Sequence, residues 1–196
     1  MRNIEIEQRF ITNQQQVLID WLEDNAKMLS CNYYHDIYFQ SHQDPFTTID
    51  KNGLKDAHKW LRIRKCKDSS NLCYKSWHRD SLNDIPLYAE QIEVNIDNPN
   101  NMQILLERLG YYPIAEVYKW RTSWSYNEYI IVQDKVKDLG IFYEIEYIEN
   151  IPDPYIAIKS IFHLLQTIGI SDFKIIDKGY PWMYWNSNWK NILNIE

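Results

Sequence analysis

Residues 4–10 read IEIEQRF, and the alternation in this run sets the expectation for the whole chain. Successive side chains of a strand point to opposite faces. Ile4, Ile6 and Phe10 then face one way, and Glu5, Glu7 and Arg9 the other. The pattern returns further along. In 59–66 (KWLRIRKC), Leu61 and Ile63 oppose Arg62 and Arg64. Lys119 and Arg121 stand two apart in 114–124, and Glu144 and Glu146 two apart in 140–149. Phe142 and Ile145 are expected on the apolar side of that last stretch. Each stretch predicts a strand with one apolar and one charged face.

A single strand of this kind needs only one solvated face. The set asks for more, because its charges are sorted: Arg and Lys on some strands, Glu on others. Closing such a sheet into a barrel lines the lumen with both signs. Buried charges need partners or ligands. Grouped carboxylates suit a hard divalent cation, and grouped Arg and Lys suit phosphate oxygens. The pattern predicts a lumen that chelates a metal-bound polyphosphate.

The remaining periodicities fill in the architecture. Strands are expected at 32–39, 72–78, 87–96 and 127–136. Residues 13–29 carry Val17, Leu18, Trp21, Leu22, Met28 and Leu29 at helical spacing, with Thr12 or Asn13 as cap. A second helix is expected at 100–109, stopped by Gly110. A third is expected at 154–168, after Pro152 and Pro154, with Ile158, Ile161, Phe162, Leu165 and Ile168 inward. The polar stretch 41–57 reads as a loop. About eight strands and few helices make an α+β protein dominated by an antiparallel sheet or barrel. After Pro181, the residues Trp182, Trp185, Trp189 and Ile192 predict a short helix docking its aromatic stripe on the body. A partner-binding helix is the alternative.

Composition excludes several classes. The 196 residues are 45% hydrophobic and 24% charged, which suits one globular domain rather than a disordered chain. A net charge of −6 makes a poor non-specific ligand for nucleic acid or acidic membrane. No apolar run has the length of a membrane span, and the first ten residues have no signal-peptide core. A cytoplasmic location is expected. Cys31, Cys66 and Cys73 are an odd count with no CxxC pair, which argues against a disulfide framework or structural zinc. His35-Asp36 is a lone dipeptide, and His42, His58, His78 and His163 have no ligand spacing. Walker A, GxGxxG and GxSxG motifs are all missing.

Taken in order, these segments resemble a family. EIEQR (5–9) resembles the ExExK motif of the CYTH proteins, the triphosphate tunnel metalloenzymes, with Arg9 replacing the usual Lys. HDIYF (35–39), WLRIRK (60–65), CYK (73–75) and EQIEVNID (90–97) are similar to its successive strands. ILLERLGY (104–111), VYKWR (117–121), IIVQDKVKDLGIFYEIE (130–146) and KGY (178–180) follow in family order. The stretch 130–146 looks most like the class IV adenylyl cyclase branch. Gln91 stands where many members have Arg.

The resemblance implies a closed antiparallel eight-stranded β-barrel with flanking helices. The tunnel domain would span 1–183, and 184–196 would be a Trp-rich extension of it. It implies Mg²⁺ or Mn²⁺ at Glu5, Glu7 and Glu146, with Glu144 beside them. Arg9, Arg62, Arg64, Lys75, Lys119 and Arg121 would contact phosphate. Glu93 and Asp134 would be further tunnel acids, and Tyr180 would join the substrate-binding set. Glu5, Glu7 and Lys119 would be catalytic. The implied partner is a small triphosphate, with no nucleic acid and no membrane; a homodimer is left open. Three functions follow: a cyclase making cyclic AMP and pyrophosphate from ATP; a hydrolase of thiamine, inorganic or nucleoside triphosphate; and a non-catalytic nucleotide or polyphosphate binder.

Overall fold

The computed structural model describes residues 4–81, 86–149 and 153–195. Pro152 lies outside the described residues. The chain runs β1 (Ile4–Thr12), α1 (Gln15–Asn25), β2 (Lys27–Ser41), β3 (Thr47–Ile49), β4 (Lys55–Ala57), β5 (Lys59–Lys65), β6 (Ser70–Arg79) and β7 (Pro86–Asn95). It continues through α2 (Pro99–Arg108), β8 (Tyr111–Tyr126), β9 (Tyr129–Val136), β10 (Gly140–Tyr147), α3 (Pro154–Ile168), β11 (Phe173–Ile175), α4 (Tyr180–Trp185) and α5 (Trp189–Ile192).

Eight strands form an antiparallel ring in the order β10-β9-β8-β2-β5-β6-β7-β1, and β1 pairs back onto β10. That last pairing sets Glu7 opposite Glu146 and Arg9 opposite Glu144. The register follows the alternation: a shift by one residue would put Phe10, Ile145 and Tyr143 in the lumen and the charges against the helices.

The outer faces of the ring are covered in two places. Phe10, Tyr143, Ile145 and Ile131 pack under Leu18 and Leu22 of α1 and Ile161, Leu165 and Ile168 of α3. Ile37, Phe39 and Ile63 pack under Leu106 of α2. α3 begins and ends where its sequence says. The Asp153 side chain accepts from the Tyr155 N–H at 2.9 Å, Pro154 opens the first turn, and Gly169 closes it at φ 88°.

Four details depart from the expectations. α1 stops at Asn25, and Met28 and Leu29 belong to β2, where both are exposed. The Met28–Trp124 pairing in the β2–β8 ladder overrides helical spacing there. The α1 cap position is Gln14, whose N–H is held by the Thr12 hydroxyl at 2.9 Å. The stretch 41–57 contains the β3–β4 hairpin. Phe142 faces the lumen, not the apolar outside, because it shares parity with Glu144 and Glu146.

Phe142 belongs to a second core that fills one end of the ring. Its ring lies 5.2 Å from that of Tyr180 and 5.8 Å from that of Trp189. Val117, Val136, Ile176, Trp182 and Met183 complete this plug. The aromatic tail is thus docked on the body, as two short helices rather than one. Trp185 stacks on Trp60 of β5 at 5.9 Å.

Candidate functional site

Alternation on β1, β5, β6, β8 and β10 aims their polar side chains into one cavity of about 250 Å³. Glu5, Glu7, Arg9, Arg62, Arg64, Lys75, Glu93, Lys119, Arg121, Glu144, Glu146 and Tyr180 all line it. Asp134 does not; it is fully buried beneath the lining. Every other residue singled out from the sequence as a site candidate is brought together here.

The acids occupy β1 and β10. Lys75 reaches across from β6 to within 2.8 Å of both Glu5 and Glu7. Glu144 takes Arg9 at 2.6 Å and Arg121 at 2.5 Å. Among the described residues no hydrogen bond or ion pair holds the Glu146 side chain, and the backbone register sets it opposite Glu7. The electrostatics divide the four carboxyls. Burial raises Glu7 to about 7, helped by the charge of Glu5. Burial and the charges of Glu5 and Glu7 likewise raise Glu146 to about 7. Burial acts the same way on Glu144, but Arg121 and Arg9 override it and hold that carboxyl well below its usual range. Lys75 likewise outweighs burial at Glu5 and lowers that carboxyl.

Besides Arg9 of β1 and Lys75 of β6, the cations occupy β5 and β8, each of these two strands backed by a buried acid. Asp134 accepts from Lys119 at 2.7 Å, from Arg121 at 2.6 and 2.5 Å, and from the Tyr180 hydroxyl at 2.8 Å. Asp36 takes Arg64 in a fork, both bonds 2.7 Å, and stands 3.6 Å from Arg62. The Arg62 Nε is buried and finds no acceptor among the described residues. Burial and the nearby Arg121 push Lys119 down to about 7, against the pull of Asp134. Arg9 lies 4.4 Å over the Tyr180 ring and donates to the Lys178 carbonyl at 2.6 Å. The segment before α4 is thereby tied to the cavity wall.

Two groups escaped the sequence reading. Asp36 looked like half of an uninformative dipeptide; its signal was parity, since Asp36 and Tyr38 alternate with Ile37 and Phe39. Lys178 also lines the cavity and pairs with Asp56 of β4 at 2.7 Å. That contact needed the β3–β4 hairpin, which the polar composition of 41–57 concealed.

The raised carboxyls have a measurable consequence in metal-free buffer. An unfolded glutamate releases its proton near pH 4.3, whereas Glu7 and Glu146 keep theirs to about 7. Between these values the folded protein binds more protons, so stability falls as pH rises from about 5 to 7. Asp36 and Glu144, held low, have delivered their stabilisation in full once the unfolded carboxyls have ionised, above about pH 5, so they add no slope between pH 5 and 7. Denaturant melts in EDTA at pH 5, 6 and 7 should show this decline, flattened in Glu146→Gln. A flat or rising profile in the parent protein would contradict it.

The CYTH domain model matches residues 3–180, and the chain belongs to the CYTH family. It is 25% identical over 155 residues to the putative adenylate cyclase of Methanocaldococcus jannaschii, covering 79% of this chain and 82% of that one. Solved structures share the fold. The PH1012 protein of Pyrococcus horikoshii superposes with a TM-score of 0.71 at 24% identity, over 90% of this chain and 97% of that one. A putative adenylate cyclase of Vibrio parahaemolyticus gives 0.68 at 16% identity, over 92% and 97%. No helix among the described residues is long and apolar enough to cross a membrane.

Among the described residues, no three His, Cys, Asp or Glu side chains form a ready-made ligand set. Lys75 stands between Glu5 and Glu7 in their place. The donor chemistry nevertheless fits a hard divalent cation. Glu7 and Glu146 are adjacent carboxyls held up at about 7; Lys75 at 2.8 Å offsets part of the charge of Glu7 but not the combined effect of burial and its acidic neighbours, and a cation would supply the missing charge.

Proposed function

We propose that this chain is a divalent-cation-dependent enzyme that converts ATP to cyclic AMP and pyrophosphate inside the barrel. The observation that carries the reading is the grouping of charge around one cavity: most carboxylates on β1 and β10, with Glu93 on β7, and most guanidinium and ammonium groups on β5, β6 and β8, with Arg9 on β1. Arg9, Arg62, Arg64, Lys75, Lys119 and Arg121 would hold the triphosphate. Arg62 has a spare Nε donor for it, while Asp36 and Asp134 keep Arg64, Lys119 and Arg121 in place. Glu5, Glu7 and Glu146, with Glu144 beside them, would hold Mg²⁺ or Mn²⁺, which supplies charge neutralisation and polarises phosphoryl oxygen.

Glu5, Glu7 and Lys119 are the proposed catalytic groups. The two carboxylates orient the reacting end, and Lys119, titrating near neutrality, can take up the proton of the attacking hydroxyl. The ribose 3′-oxygen forms a bond to the α-phosphorus, the bond from that phosphorus to the bridging oxygen breaks, and pyrophosphate leaves. Most of the rate enhancement then comes from positioning and charge. The name of the archaeal relative and the match over residues 130–146 support the cyclase branch.

A triphosphatase is the second reading. It is favoured by a lining in which charged side chains predominate and which would serve a terminal phosphate equally well. A non-catalytic triphosphate binder would need the carboxyl wall for nothing. Product analysis with ATP, thiamine triphosphate and inorganic triphosphate, each with Mg²⁺ and Mn²⁺, separates these. Cyclic AMP and pyrophosphate are expected from ATP. ATP lacking its 3′-hydroxyl is expected to bind without reacting. If 3′-deoxy-ATP releases orthophosphate at the ATP rate, the ribose is not the nucleophile and the triphosphatase reading replaces this one.

A further inference from the structure

β8 carries chemistry on both faces. Lys119 and Arg121 point into the lumen, while Tyr118 and Trp120 point outward, onto a stretch of sheet that no described helix covers. Trp120 is 53% exposed and Tyr33, opposite it on β2, is 46% exposed. Their rings sit 5.4 Å apart. One step along the ladder, His35 and Tyr118 stack at 4.3 Å with 12° between planes. On the other side Lys135 of β9 lies directly beside Trp120 in register, and the Lys137 ammonium stands 5.8 Å over the Tyr118 ring. The groove so formed has a volume of about 380 Å³. One border is Gly140, where a side chain would meet nothing within 4 Å. Glu116 is the nearby acid, and it is occupied by His35 at 2.8 Å and the Tyr118 hydroxyl at 2.7 Å.

We propose that this outer face of β2, β8 and β9 is a second nucleotide site, with Trp120 and Tyr33 receiving the base and Lys135 and Lys137 the phosphate. Flat, half-exposed rings offer stacking to any base, and adjacent ammonium groups complement its phosphate. Cross-strand aromatic pairing alone would account for the rings but not for lysines at their edge. A contact with a second copy of this chain would bury those lysines at its centre, where interfaces are depleted of Lys. A long single strand would be repelled by a net charge of −6, whereas a mononucleotide carries one phosphate group or a few. The site lies back to back with the cavity, with Lys119 of β8 common to the two linings, and the proposal does not rest on what the cavity does.

Calorimetric titration of the whole chain with AMP tests the proposal, using Trp120→Ala and Lys135→Ala in parallel. Neither residue belongs to the cavity machinery, and Lys135 is exposed, so its replacement leaves the core untouched. Trp120→Ala is expected to weaken AMP binding about tenfold or more, since one base stacked on an aromatic ring is worth that much, and Lys135→Ala by about tenfold, the worth of one charge-assisted bond to phosphate. Arg121→Ala, which disturbs only the cavity, should leave this binding in place, so failure of the cavity reading would be visible separately. AMP binding that neither outer variant changes would overturn the proposal, as would no binding at all. Oligo(dA) binding at least tenfold tighter than AMP would make the face a strand-binding surface instead. A dimer in sedimentation that Trp120→Ala dissolves would make it a subunit contact.

Discussion

Glu7→Gln and Glu146→Gln are each expected to lower metal-dependent turnover of ATP on the order of 10³-fold, a loss of several kcal/mol of transition-state stabilisation. Both substitutions keep the side-chain shape and remove only a charge-bearing oxygen. Both carboxyls stand at about 7 in the metal-free protein, so near neutral pH each is costly to ionise without a cation. The neutral amides relieve that cost. Thermal unfolding in EDTA at pH 8 should therefore occur at the parent temperature or above it, even as activity disappears. EDTA should silence the parent enzyme equally, and Mn²⁺ or Mg²⁺ should restore the parent but not the variants. Undiminished turnover in chelator, or in Glu146→Gln, would remove these carboxyls from the reaction.

Asp134→Ala acts on stability instead. Lys119, 2% exposed, has Asp134 at 2.7 Å as its one carboxylate contact among the described residues, and Arg121 loses a two-bond fork. Removing one member of a buried ion pair typically costs about 3–5 kcal/mol, because the surviving charge is stranded out of water. Arg121 retains Glu144 at 2.5 Å, so the larger share of the loss falls on Lys119, which must shed its proton to stay buried, and on the orphaned Tyr180 hydroxyl. Asp44→Ala is the contrast. Its partner Lys59 lies 4.0 Å away on an open surface, and the loss should stay within about 1 kcal/mol. Denaturant melts of both variants measure the difference. A change below about 1 kcal/mol for Asp134→Ala would mean that the cavity rearranges to pair its cations elsewhere.

Parity made much of this site legible in advance. Glu5, Glu7 and Arg9 on one strand, and Glu144 and Glu146 on another, could be assigned to a shared interior because a pleat permits only two faces. Helical spacing after Pro152 and Pro154 placed α3 at its observed limits. What escaped had non-local causes. Met28 and Leu29 continue the spacing of α1, yet the ladder with β8 takes them. Phe142 was set apart from Glu144 by its chemistry, although parity puts them on one side; its partners, Tyr180 and Trp189, arrive from the end of the chain. Asp134 reads as a lining acid until its four hydrogen bonds place it below the lining. Asp36 carries no local signal beyond its alternation with Ile37 and Phe39.

The closure of β1 onto β10 also bears on how the chain reaches its fold. Arg9 and Glu144 are 135 residues apart in sequence and 2.6 Å apart in space. A pairing that distant costs loop entropy before it returns any contact, which slows folding. During synthesis β1 emerges well before its partner and waits with an unpaired edge, the form of strand most prone to capture by another chain. Its alternating face defends it meanwhile. Glu5, Glu7 and Arg9 interrupt what would otherwise be the aggregation-prone run Ile4 to Ile11, as charged gatekeepers do. The three charges proposed to meet the ligand would thus protect the nascent strand until the ring can shut.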